Sequence, residues 1–508
     1  MIDVLIAGAG PNGLMLACEL ALAGVHPVVL ERHHTPTGEP RANGLVGQVV
    51  RLLDRRGLYT RLTGDSNPPA PLPSFTFGAF PLDLTMLADN PHYVIGVPQA
   101  RLEATLAARA TELGVDIRRG HRVTGFHQDE DQVNVNLSDG TELSCRFLVG
   151  ADGGHSTVRR LADIGFPGVT EDRSVSRTAT VTVPASHLDP DTGGLLIPGY
   201  GRLTPFQHTR TPHGLITWAP FPGRPAILST KEWPDTPVTD DTPMDLAELR
   251  ASAARVLGAD LPLALDGPGL LRRLTSGNTR IADRYRSGRV LLAGDAAHVH
   301  PAIGGPGLNL GLQDVANLGW KLAATVHGWA PDGLLDTYET ERRPVAERVV
   351  MSTQAQSALI GPGDEITGLR QLFAELLRKP EVTGHIAALM SGADVSYPAE
   401  PADPLAGRTA PDVIVHGEHG PVRLAELTRT ARPLLLDSTA TFAETAAPWR
   451  DRVDVVTGKL EGTTASALLV RPDGFVAWSA GDAATLRSAL TRFFGGPAAG
   501  AGQGRNRP

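Results

Sequence analysis

Residues 2–31 read IDVLIAGAGPNGLMLACELALAGVHPVVLE, and this stretch decides the fold. A hydrophobic run enters the glycine-rich turn 8–13, an apolar helical pattern follows, and a second hydrophobic run ends at Glu31. This order of strand, glycine turn, helix, strand and acid is typical of a dinucleotide bound at a helix N-terminus. A glycine turn with nothing bound would leave the position of Glu31 unexplained.

The glycines of this turn have separate predicted roles. Gly8 permits the tight turn, Gly10 lets the backbone approach a pyrophosphate, and Gly13 lets the helix pack closely on the strand. The unpaired N–H groups at the helix start, where Pro11 stands, face the phosphates. Glu31 is expected to accept hydrogen bonds from a ribose diol.

Composition and charge limit the classes of protein. At 508 residues the chain is too long for one hydrophobic core, so roughly two to four domains are expected. The formal net charge of −8 argues against nucleic acid as the main partner. The two cysteines, Cys18 and Cys145, are predicted to be buried packing residues, and the sequence has no CxxC or HExxH. No metal site is therefore predicted.

The N-terminus has no basic region before its apolar stretch, and the nucleotide-binding pattern uses that stretch. It is therefore not interpreted as a signal peptide. No run of about 18 apolar residues is present to cross a membrane. We expect a cytoplasmic protein without a membrane partner.

Two further motifs follow apolar strands. The run FLVG at 147–150 leads into ADGGHSTVR at 151–159, and RVLLA at 289–293 leads into GDAAH at 294–298. Asp295 therefore lies at the carboxyl end of a strand, where open sheets bind ligands. It is a candidate acceptor for a polyol such as a ribityl chain.

A glycine-rich stretch, PAIGGPGLNLGLQD at 301–314, comes next. Its glycines let backbone N–H groups approach a flat ring, and it leads into a predicted helix from Leu308 to Thr325. Such a helix start favours negative charge, including that of a reduced flavin. The first fingerprint alone does not separate NAD from FAD, and these segments favour FAD.

Together, GAGPNG with its acid, GADGGHSTVR, and GDAAHVHP followed by GGPGLN resemble the flavoprotein monooxygenases of the p-hydroxybenzoate hydroxylase type. The resemblance covers residues 1 to about 360. Segments 312–322 and 338–344 resemble the polyketide and antibiotic hydroxylases of actinobacteria. Pro306 stands where many relatives have Gln, and proline donates no N–H. A different shape is therefore expected for the loop beside the pyrimidine edge of the flavin.

The resemblance implies roles for individual residues. Gly8, Gly10 and Gly13 would hold the pyrophosphate, Glu31 the adenosine ribose, and Asp295 the ribityl chain. The other residues implied at the cofactor are Pro11, Arg32 and Arg41 near the phosphates or adenosine, Val123 at the adenine, Gln99 near the ribityl or isoalloxazine region, Asp152 shared between FAD and NAD(P)H, and Pro301, Gly305, Gly307, Leu308 and Asn309 around the ring. For Arg32 a solvated surface position is an equal alternative. His298 and His300 are interpreted as structural rather than as a metal site or a base.

The resemblance also implies the chemistry. NAD(P)H, bound transiently, would reduce a non-covalent FAD, and O2 would form a flavin C4a-hydroperoxide whose distal oxygen goes to an electron-rich ring. That chemistry requires no nucleophile and no metal, so no catalytic side chain is named. The expected substrate is an aromatic polyketide, and the alternatives are inactivation of a rifamycin-type antibiotic and Baeyer–Villiger insertion.

Other functional classes remain open. One is an NAD-linked dehydrogenase or a flavin halogenase, although no Trp-x-Trp-x-Ile-Pro element is present. Another is a binding or assembly protein that keeps the nucleotide fold without turnover. The retained Asp152 and Asp295 motifs argue against that possibility.

The predicted fold class is α/β. It has a Rossmann-like FAD-binding domain (1–175 plus 275–360), an antiparallel-sheet substrate domain (176–274), a helical connector (361–400), a thioredoxin-like domain without CxxC (401–496) and a disordered tail (497–508). The C-terminal unit, joined by a proline-rich linker, is expected to be structural or to serve subunit contacts in a monomer or homodimer. A chain ending near residue 400 is accordingly expected to bind FAD.

Four aromatic residues are candidate walls for an aromatic substrate: Phe206, Trp218, Phe221 and Trp233. All four lie in the predicted antiparallel sheet region. Strand alternation could equally bury any of them in the core of the sheet itself.

Overall fold

The computed structural model describes residues 1–36, 43–171, 173–223, 225–236, 238, 242–267, 269–275, 277–301, 303–399, 403–418, 420–479 and 481–498. Two of the predictions above fall elsewhere. Arg41 lies outside the described residues, as does most of the predicted C-terminal tail (499–508).

The N-terminal part of the chain alternates strands and helices. Its elements are β1 (Ile2–Ala7), α1 (Pro11–Leu22), β2 (Val28–Glu31), β3 (Leu45–Val46), α2 (Gln48–Arg55), α3 (Tyr59–Thr63), β4 (Ser74–Phe77), β5 (Phe80–Asp83), β6 (Val94–Ile95), α4 (Gln99–Glu112), β7 (Asp116–Arg119), β8 (Val123–Gln128), β9 (Val133–Leu137), β10 (Glu142–Gly150), α5 (Thr157–Leu161) and β11 (Gly168–Glu171).

The middle part is mostly strand, and the chain then returns to helices. The elements are β12 (Val175–Thr182), β13 (Leu195–Ile197), β14 (Gly201–Leu203), β15 (His208–Thr211), β16 (Gly214–Ala219), β17 (Ala226–Glu232), α6 (Leu246–Leu257), β18 (Ala264–Leu265), β19 (Leu271–Leu274), β20 (Gly277–Ile281), β21 (Arg286–Ser287), β22 (Val290–Leu292), β23 (His298–Val299), α7 (Pro306–Val326) and α8 (Thr337–Leu359).

The C-terminal part begins with two helices and continues as a small α/β unit. Its elements are α9 (Asp364–Leu376), α10 (Pro380–Ser391), β24 (Ile414–Gly417), β25 (Gly420–Arg423), α11 (Leu424–Leu427), β26 (Leu434–Asp437), α12 (Ala443–Ala446), β27 (Asp454–Thr457), β28 (Lys459–Glu461), β29 (Ala467–Val470), β30 (Val476–Ser479) and α13 (Ala483–Phe494).

The main sheet brings the three sequence motifs together. Its strand order is β21-β22-β10-β1-β2-β7, with β22, β10, β1, β2 and β7 parallel. The register places Ala7 beside Gly150, and Gly150 beside Leu292. Because each motif begins just after one of these residues, all three emerge at the same carboxyl edge, where open parallel sheets bind ligands.

The burial of β1 and β10 explains why these strands read as continuous apolar runs. Val4, Leu5 and Ile6 are fully buried, and α1 packs against α7 on one side of the sheet. Parallel strands covered on both faces need apolar residues at successive positions. The mixed α/β architecture predicted from the sequence is confirmed.

The middle part forms a six-stranded sheet, ordered β15-β16-β17-β12-β18, with β19 also paired to β12. All of its pairings are antiparallel. Helix α6 covers one face, and Asp245 caps it through a 2.8 Å hydrogen bond from the Glu248 N–H. Ala179, Trp218 and Leu228 form the core between this sheet and α6.

The local sequence of the connector predicts a single helical segment from Leu369 to Leu389, and the structure differs there. It contains two helices, α9 and α10, and the second begins at Pro380. Proline lacks an N–H and is disfavoured in a helix interior, but it is well suited to the first helical position, and α10 begins there. Phe373 of α9 packs on Phe80 of the β4–β5 hairpin, with ring centroids 5.3 Å apart.

The C-terminal unit has a four-stranded sheet ordered β27-β26-β29-β30, covered by α13. Its core continues into α7, because the ring of Trp320 lies 6.0 Å from that of Phe494. Tyr397, in the predicted linker, is buried and stacks on Phe475 at 4.1 Å. This part of the linker is therefore anchored in the protein. The thioredoxin-like assignment of the unit stays a prediction.

Candidate cofactor site

A cavity of about 610 Å³ lies at the carboxyl edge of β1, β10 and β22. Its volume is in the range of cofactor and ligand sites in proteins. The predicted cofactor residues that line it are Gly8, Gly10, Pro11, Glu31, Arg32, Gln99, Val123, Asp152, Asp295, Gly305, Gly307 and Leu308.

The first glycine turn has the geometry that its sequence predicts. Gly8 has a φ of +109°, and a Cβ at this position would lie 2.4 Å from the carbonyl oxygen of Ala151. A Cβ on Gly13 would lie 1.9 Å from the carbonyl oxygen of Gly8. This geometry is what the predicted roles of Gly8 in the turn and of Gly13 in helix packing require. Gly10 differs, because a Cβ there would meet no atom of the described residues within 4 Å.

Glu31 closes the turn from the second strand. Its Oε2 accepts a 2.9 Å hydrogen bond from the Ala9 N–H, and its Oε1 accepts one of 2.9 Å from the His33 N–H. Each carboxylate oxygen has a second lone pair, so the side chain can also accept from a diol in the cavity. The structure thus gives Glu31 a role in shaping the loop in addition to the predicted ribose contact.

Asp152 accepts hydrogen bonds from the first turn of α5, whose N-cap residue is Ser156. Its Oδ2 accepts from the N–H groups of Thr157 and Val158 at 2.7 and 3.1 Å, and its Oδ1 accepts from the Ser156 hydroxyl at 2.5 Å. Arg159 then joins two of the motifs, donating to the carbonyls of Ala296 and Gly154 at 2.8 and 2.9 Å. Asp152 therefore borders the cavity as an organiser of backbone.

Asp295 lies in a single 3₁₀ turn (Gly294–Ala296) and is exposed to the cavity. Asn12 packs against this turn, since a Cβ on Gly294 would lie 1.9 Å from the Asn12 Nδ2. A Cβ on Gly311 of α7 would lie 2.4 Å from the same nitrogen. Asn12 therefore locks α1, the Asp295 turn and α7 together. Its position directly after the Gly-x-Gly-Pro turn was the available sequence signal.

The start of α7 faces the same cavity as the start of α1. Gly305 is the N-cap with a φ of 66°, Pro306 is the first helical residue, and Gly307 and Leu308 line the cavity. A first helical residue has no intrahelical partner for its N–H, so Pro306 costs the helix no hydrogen bond. Two helix N-termini therefore direct partial positive charge into one cavity.

Three predicted cofactor residues are not among the described residues that line the cavity: Gly13, Pro301 and Asn309. Asn309 is buried, its Oδ1 accepts a 3.0 Å bond from the Val46 N–H, and its Nδ2 donates to the Gly305 carbonyl at 2.9 Å. Its side chain ties the start of α7 to β3 and is not directed at the ring. The carbonyl of Pro301 lies 3.0 Å from the Nδ1 of His300.

His298 and His300 both line the cavity. The Nε2 of His298 lies 2.6 Å from the Oδ2 of Asp314, whose Oδ1 accepts a 2.7 Å bond from the Nε of Arg342. These three side chains are almost completely buried, which agrees with a structural role. Burial lowers the pKa of His300 to about 4, so its ring is neutral at pH 7.

Sequence reasoning missed two cations at the Glu31 end of the cavity. Arg119 of β7 is the register partner of Glu31, and Arg122 precedes Val123. Both line the cavity together with Arg32. The signal that could have found Arg119 is the third parallel strand, whose end must reach the same edge of the sheet.

The four aromatic residues predicted to line the substrate site differ in burial and in their contacts. Trp218 is 2% exposed, lies between the sheet and α6, and donates from its indole N–H to the Gly193 carbonyl at 3.0 Å. It is a core residue, so its prediction as a substrate wall is wrong. Phe206 is 50% exposed and meets Phe221 edge-on at 5.4 Å, and Trp233 lies 5.7 Å from the Lys231 ammonium.

Both cysteines are free and buried, as predicted, and burial raises the pKa of each thiol to about 12. Among the described residues, no cluster of His, Cys, Asp and Glu could hold a metal ion. No helix in the described part of the chain is long and apolar enough to span a membrane.

Comparison with known proteins agrees with this geometry. Residues 1–353 match the family model described as FAD binding domain, and residues 403–497 match the one described as aromatic-ring hydroxylase, C-terminal. The chain is 42% identical over 516 residues to 12-dehydrotetracycline 5-monooxygenase/anhydrotetracycline 6-monooxygenase of Streptomyces rimosus, covering 98% of this chain and 99% of the relative. It is 38% identical over 504 residues to rifampicin monooxygenase of Streptomyces venezuelae, covering 98% and 100%.

A solved structure of the OxyS anhydrotetracycline hydroxylase from Streptomyces rimosus aligns with a TM-score of 0.85 and 40% identity, covering 98% of this chain and 99% of that one. The chain belongs to the FAD-dependent aromatic-ring hydroxylases. The family predicted from the three motifs, FAD as the cofactor and monooxygenase activity are confirmed, and NAD(P)H is the typical reductant of this family.

Proposed function

We propose that this protein hydroxylates an aromatic polyketide with one atom of O2, using NAD(P)H as the reductant. One observation carries the proposal: the register of β1, β10 and β22 joins all three flavin motifs around one cavity, in a chain similar over its full length to anhydrotetracycline monooxygenases.

The cavity fits FAD by its donor set. The N-terminus of α1 offers backbone N–H groups to a pyrophosphate, and Gly10 leaves room for its close approach. Glu31 retains acceptor capacity for a ribose, and Asp295 is a carboxylate for the ribityl hydroxyls. The pyrophosphate, the ribose and the ribityl chain of FAD would thus each meet complementary groups in this chain.

When bound, FAD supplies the redox-active ring that takes hydride from NAD(P)H and activates O2. The chain's own residues position and shield that ring. Gly307 and Leu308 present the start of α7, which favours negative charge near it. His300 lines the same cavity, and burial lowers its pKa to about 4, so its ring is neutral at pH 7 and the positive potential near the ring comes from the helix start. Asp314 and Arg342 hold His298 in the wall.

A second candidate is oxidation of a rifamycin-type antibiotic. The observation that favours it is the similarity to rifampicin monooxygenase, which covers 98% of this chain. Both candidates use the same flavin chemistry, so they differ only in which polycyclic compound the substrate cleft accepts.

The test measures NAD(P)H consumption by the purified flavin-loaded enzyme with anhydrotetracycline and with rifampicin, each against an enzyme-only control. The expected result is faster consumption with the polyketide and a product heavier by one oxygen, labelled when the reaction runs under ¹⁸O2. NMR of the product separates hydroxylation from ring insertion. Stimulation by rifampicin alone would favour the second candidate, and absence of stimulation by any aromatic polyketide would contradict the proposal.

A further inference from the structure

His298 and His300, two residues apart across the end of β23, both point towards helix α7. Side chains at this spacing along an extended chain share a face. The Nε2 of His298 lies 2.6 Å from the Oδ2 of Asp314, in the middle of α7. The Cε1 and Nε2 of His300 lie 3.3 and 3.4 Å from the place that a Cβ on Gly307 would take. His300 therefore borders the cofactor cavity where α7 begins.

The structure fixes the tautomer of His300. Its Nδ1 lies 3.0 Å from the carbonyl oxygen of Pro301, and a carbonyl oxygen only accepts hydrogen bonds, so Nδ1 carries the hydrogen. Burial lowers the pKa of His300 to about 4, so the ring is neutral at pH 7. A neutral imidazole has one N–H group, and the Nε2 of His300 is therefore an acceptor. Pro301, which the sequence placed at the cofactor, thus sets the chemistry of this side chain.

The Nε2 of His300 is available to a ligand. Within the described part of the chain it has no hydrogen-bond partner. Unlike the Nδ1 of His298, which is fully buried and also lacks a described partner, it is not enclosed by protein atoms. Because the ring of His300 lines the cavity, its accessible nitrogen faces the space that the cofactor would fill.

Backbone donors stand beside this acceptor. Gly307 and Leu308 are the second and third residues of α7, and N–H groups in the first turn of a helix have no intrahelical partner. Both residues line the cavity, and no described side chain caps this helix start. Pro306, the first residue of α7, has no N–H group to offer. This side of the cavity therefore presents the His300 acceptor next to two backbone donors.

This set of groups matches the pyrimidine edge of a flavin ring. On that edge the N3–H group is a donor, and carbonyl acceptors flank it on both sides. A pyrophosphate offers acceptors only, and the ribityl hydroxyls have Asp295 as their proposed partner. A neutral imidazole also suits the reduced ring, because it accepts a hydrogen bond without the negative charge that a carboxylate would place there.

We propose that His300 accepts a hydrogen bond from the N3–H group of bound FAD, and that Pro301 holds the imidazole in the tautomer that can do so. The backbone donors at the start of α7 would then meet a carbonyl of the same edge. This inference concerns the cofactor, so it does not depend on which aromatic compound the enzyme oxidises. It gives His300 a role in binding, where the sequence suggested a structural one.

The test compares FAD with N3-methyl-FAD, in which a methyl group replaces the hydrogen on N3. Titration of the full-length protein after removal of its FAD, followed by flavin fluorescence, gives both dissociation constants without NAD(P)H or substrate. The wild type should bind N3-methyl-FAD about 5- to 100-fold more weakly, the effect of a lost hydrogen bond whose buried partner stays unpaired. His300→Leu should weaken FAD binding by a similar factor and bind both flavins alike. His300→Gln, which keeps an acceptor oxygen, should restore part of the preference for FAD.

The matched control is His121→Leu. His121 lines the same cavity at its Glu31 end, and its Nδ1 also lies beside a backbone carbonyl, that of Arg119, at 2.9 Å. This variant should keep the wild-type preference for FAD. Equal binding of the two flavins by the wild type would overturn the proposal without any variant. An unchanged preference or an unchanged FAD affinity in His300→Leu would also overturn it, because N3–H would then have another acceptor. A His300-dependent preference without polyketide-stimulated NAD(P)H oxidation would count against the proposed function alone.

Discussion

Glu341 of α8 and Arg471 of the terminal hairpin turn form two buried hydrogen bonds, of 2.8 and 2.7 Å. Lys321 of α7 donates to the same carboxylate at 2.7 Å, and Asp473 pairs with Arg471 at 2.5 Å. Burial alone would raise the pKa of Glu341, but Arg471 and Lys321 outweigh it and hold that pKa well below its usual range. Helix α7, whose start faces the cofactor cavity, is therefore joined to the C-terminal unit through buried ion pairs.

Replacing Arg471 by Met should lower the free energy of unfolding by about 3–5 kcal/mol, because Asp473 would remain buried without its cation and Glu341 would keep only Lys321. Urea unfolding followed by circular dichroism measures this loss. Arg487→Met, at an exposed position of α13, is the matched control and should be neutral. Equal stability of the two variants would show that the network does not hold the units together.

The same network changes the expectation for a chain ending near residue 400. The sequence suggested that such a chain binds FAD. The structure predicts that it is insoluble or flavin-free, because the cut removes Arg471 from the buried Glu341 and exposes Trp320. Expression of this chain with and without Arg55→Gln, which removes a cation whose two carbonyl acceptors lie in the missing unit, tests the point. A soluble, yellow product would contradict it.

Gly10 and Gly13 predict opposite outcomes for similar substitutions. Gly10→Val adds a side chain beside the cavity without a clash among the described residues, and its φ of −74° suits any residue. The variant should fold and lose FAD. Gly13→Ala forces a Cβ to within 1.9 Å of the Gly8 carbonyl and should fold poorly. Flavin absorbance and the melting temperature of the FAD-free protein separate the two. Full FAD content in Gly10→Val would exclude the predicted pyrophosphate position.

Asp295→Ala should weaken FAD binding by roughly 10- to 100-fold, as expected for loss of a charge-assisted hydrogen bond to a ribityl hydroxyl. Titration of the FAD-free protein with FAD, followed by flavin fluorescence, measures the change. Asp131→Ala, in an exposed turn, serves as the control with the same loss of charge. If Asp295→Ala keeps the wild-type affinity, the ribityl assignment is wrong.

His92 predicts a loss of stability in mild acid. It is completely buried against Phe75, and burial lowers its pKa from 6.5 to about 4. Because the pKa of His92 is lower in the folded protein than in the unfolded chain, the neutral ring's contribution to the free energy of unfolding is fully present above pH 6.5. It is lost as the pH falls towards 4, by up to about 3 kcal/mol. His92→Phe should reduce the fall in the free energy of unfolding between pH 7 and 4.5, as measured by urea unfolding. The contribution of His300, whose pKa is also lowered, is the same in both proteins and does not affect the comparison. Parallel slopes for variant and wild type would contradict the assignment.

Much of the secondary structure could be predicted from local sequence. Local sequence predicts a helix from Ala483 to Phe494, and α13 has those bounds, since an aspartate cap and an apolar period define it locally. The connector was harder, because the apolar pattern continues across the break before Pro380. The proline was the signal that should have divided it.

The sequence by itself determined the family and the cofactor, because glycine turns, apolar strands and helix starts are properties of neighbouring residues. Only the tertiary structure decided that Trp218 belongs to a core, that Asn309 holds β3, and that Arg471 neutralises Glu341. These roles depend on strand register and on contacts between segments far apart in the chain. A one-residue change of register reverses the face of every side chain in a strand, and local sequence does not encode which face meets the flavin.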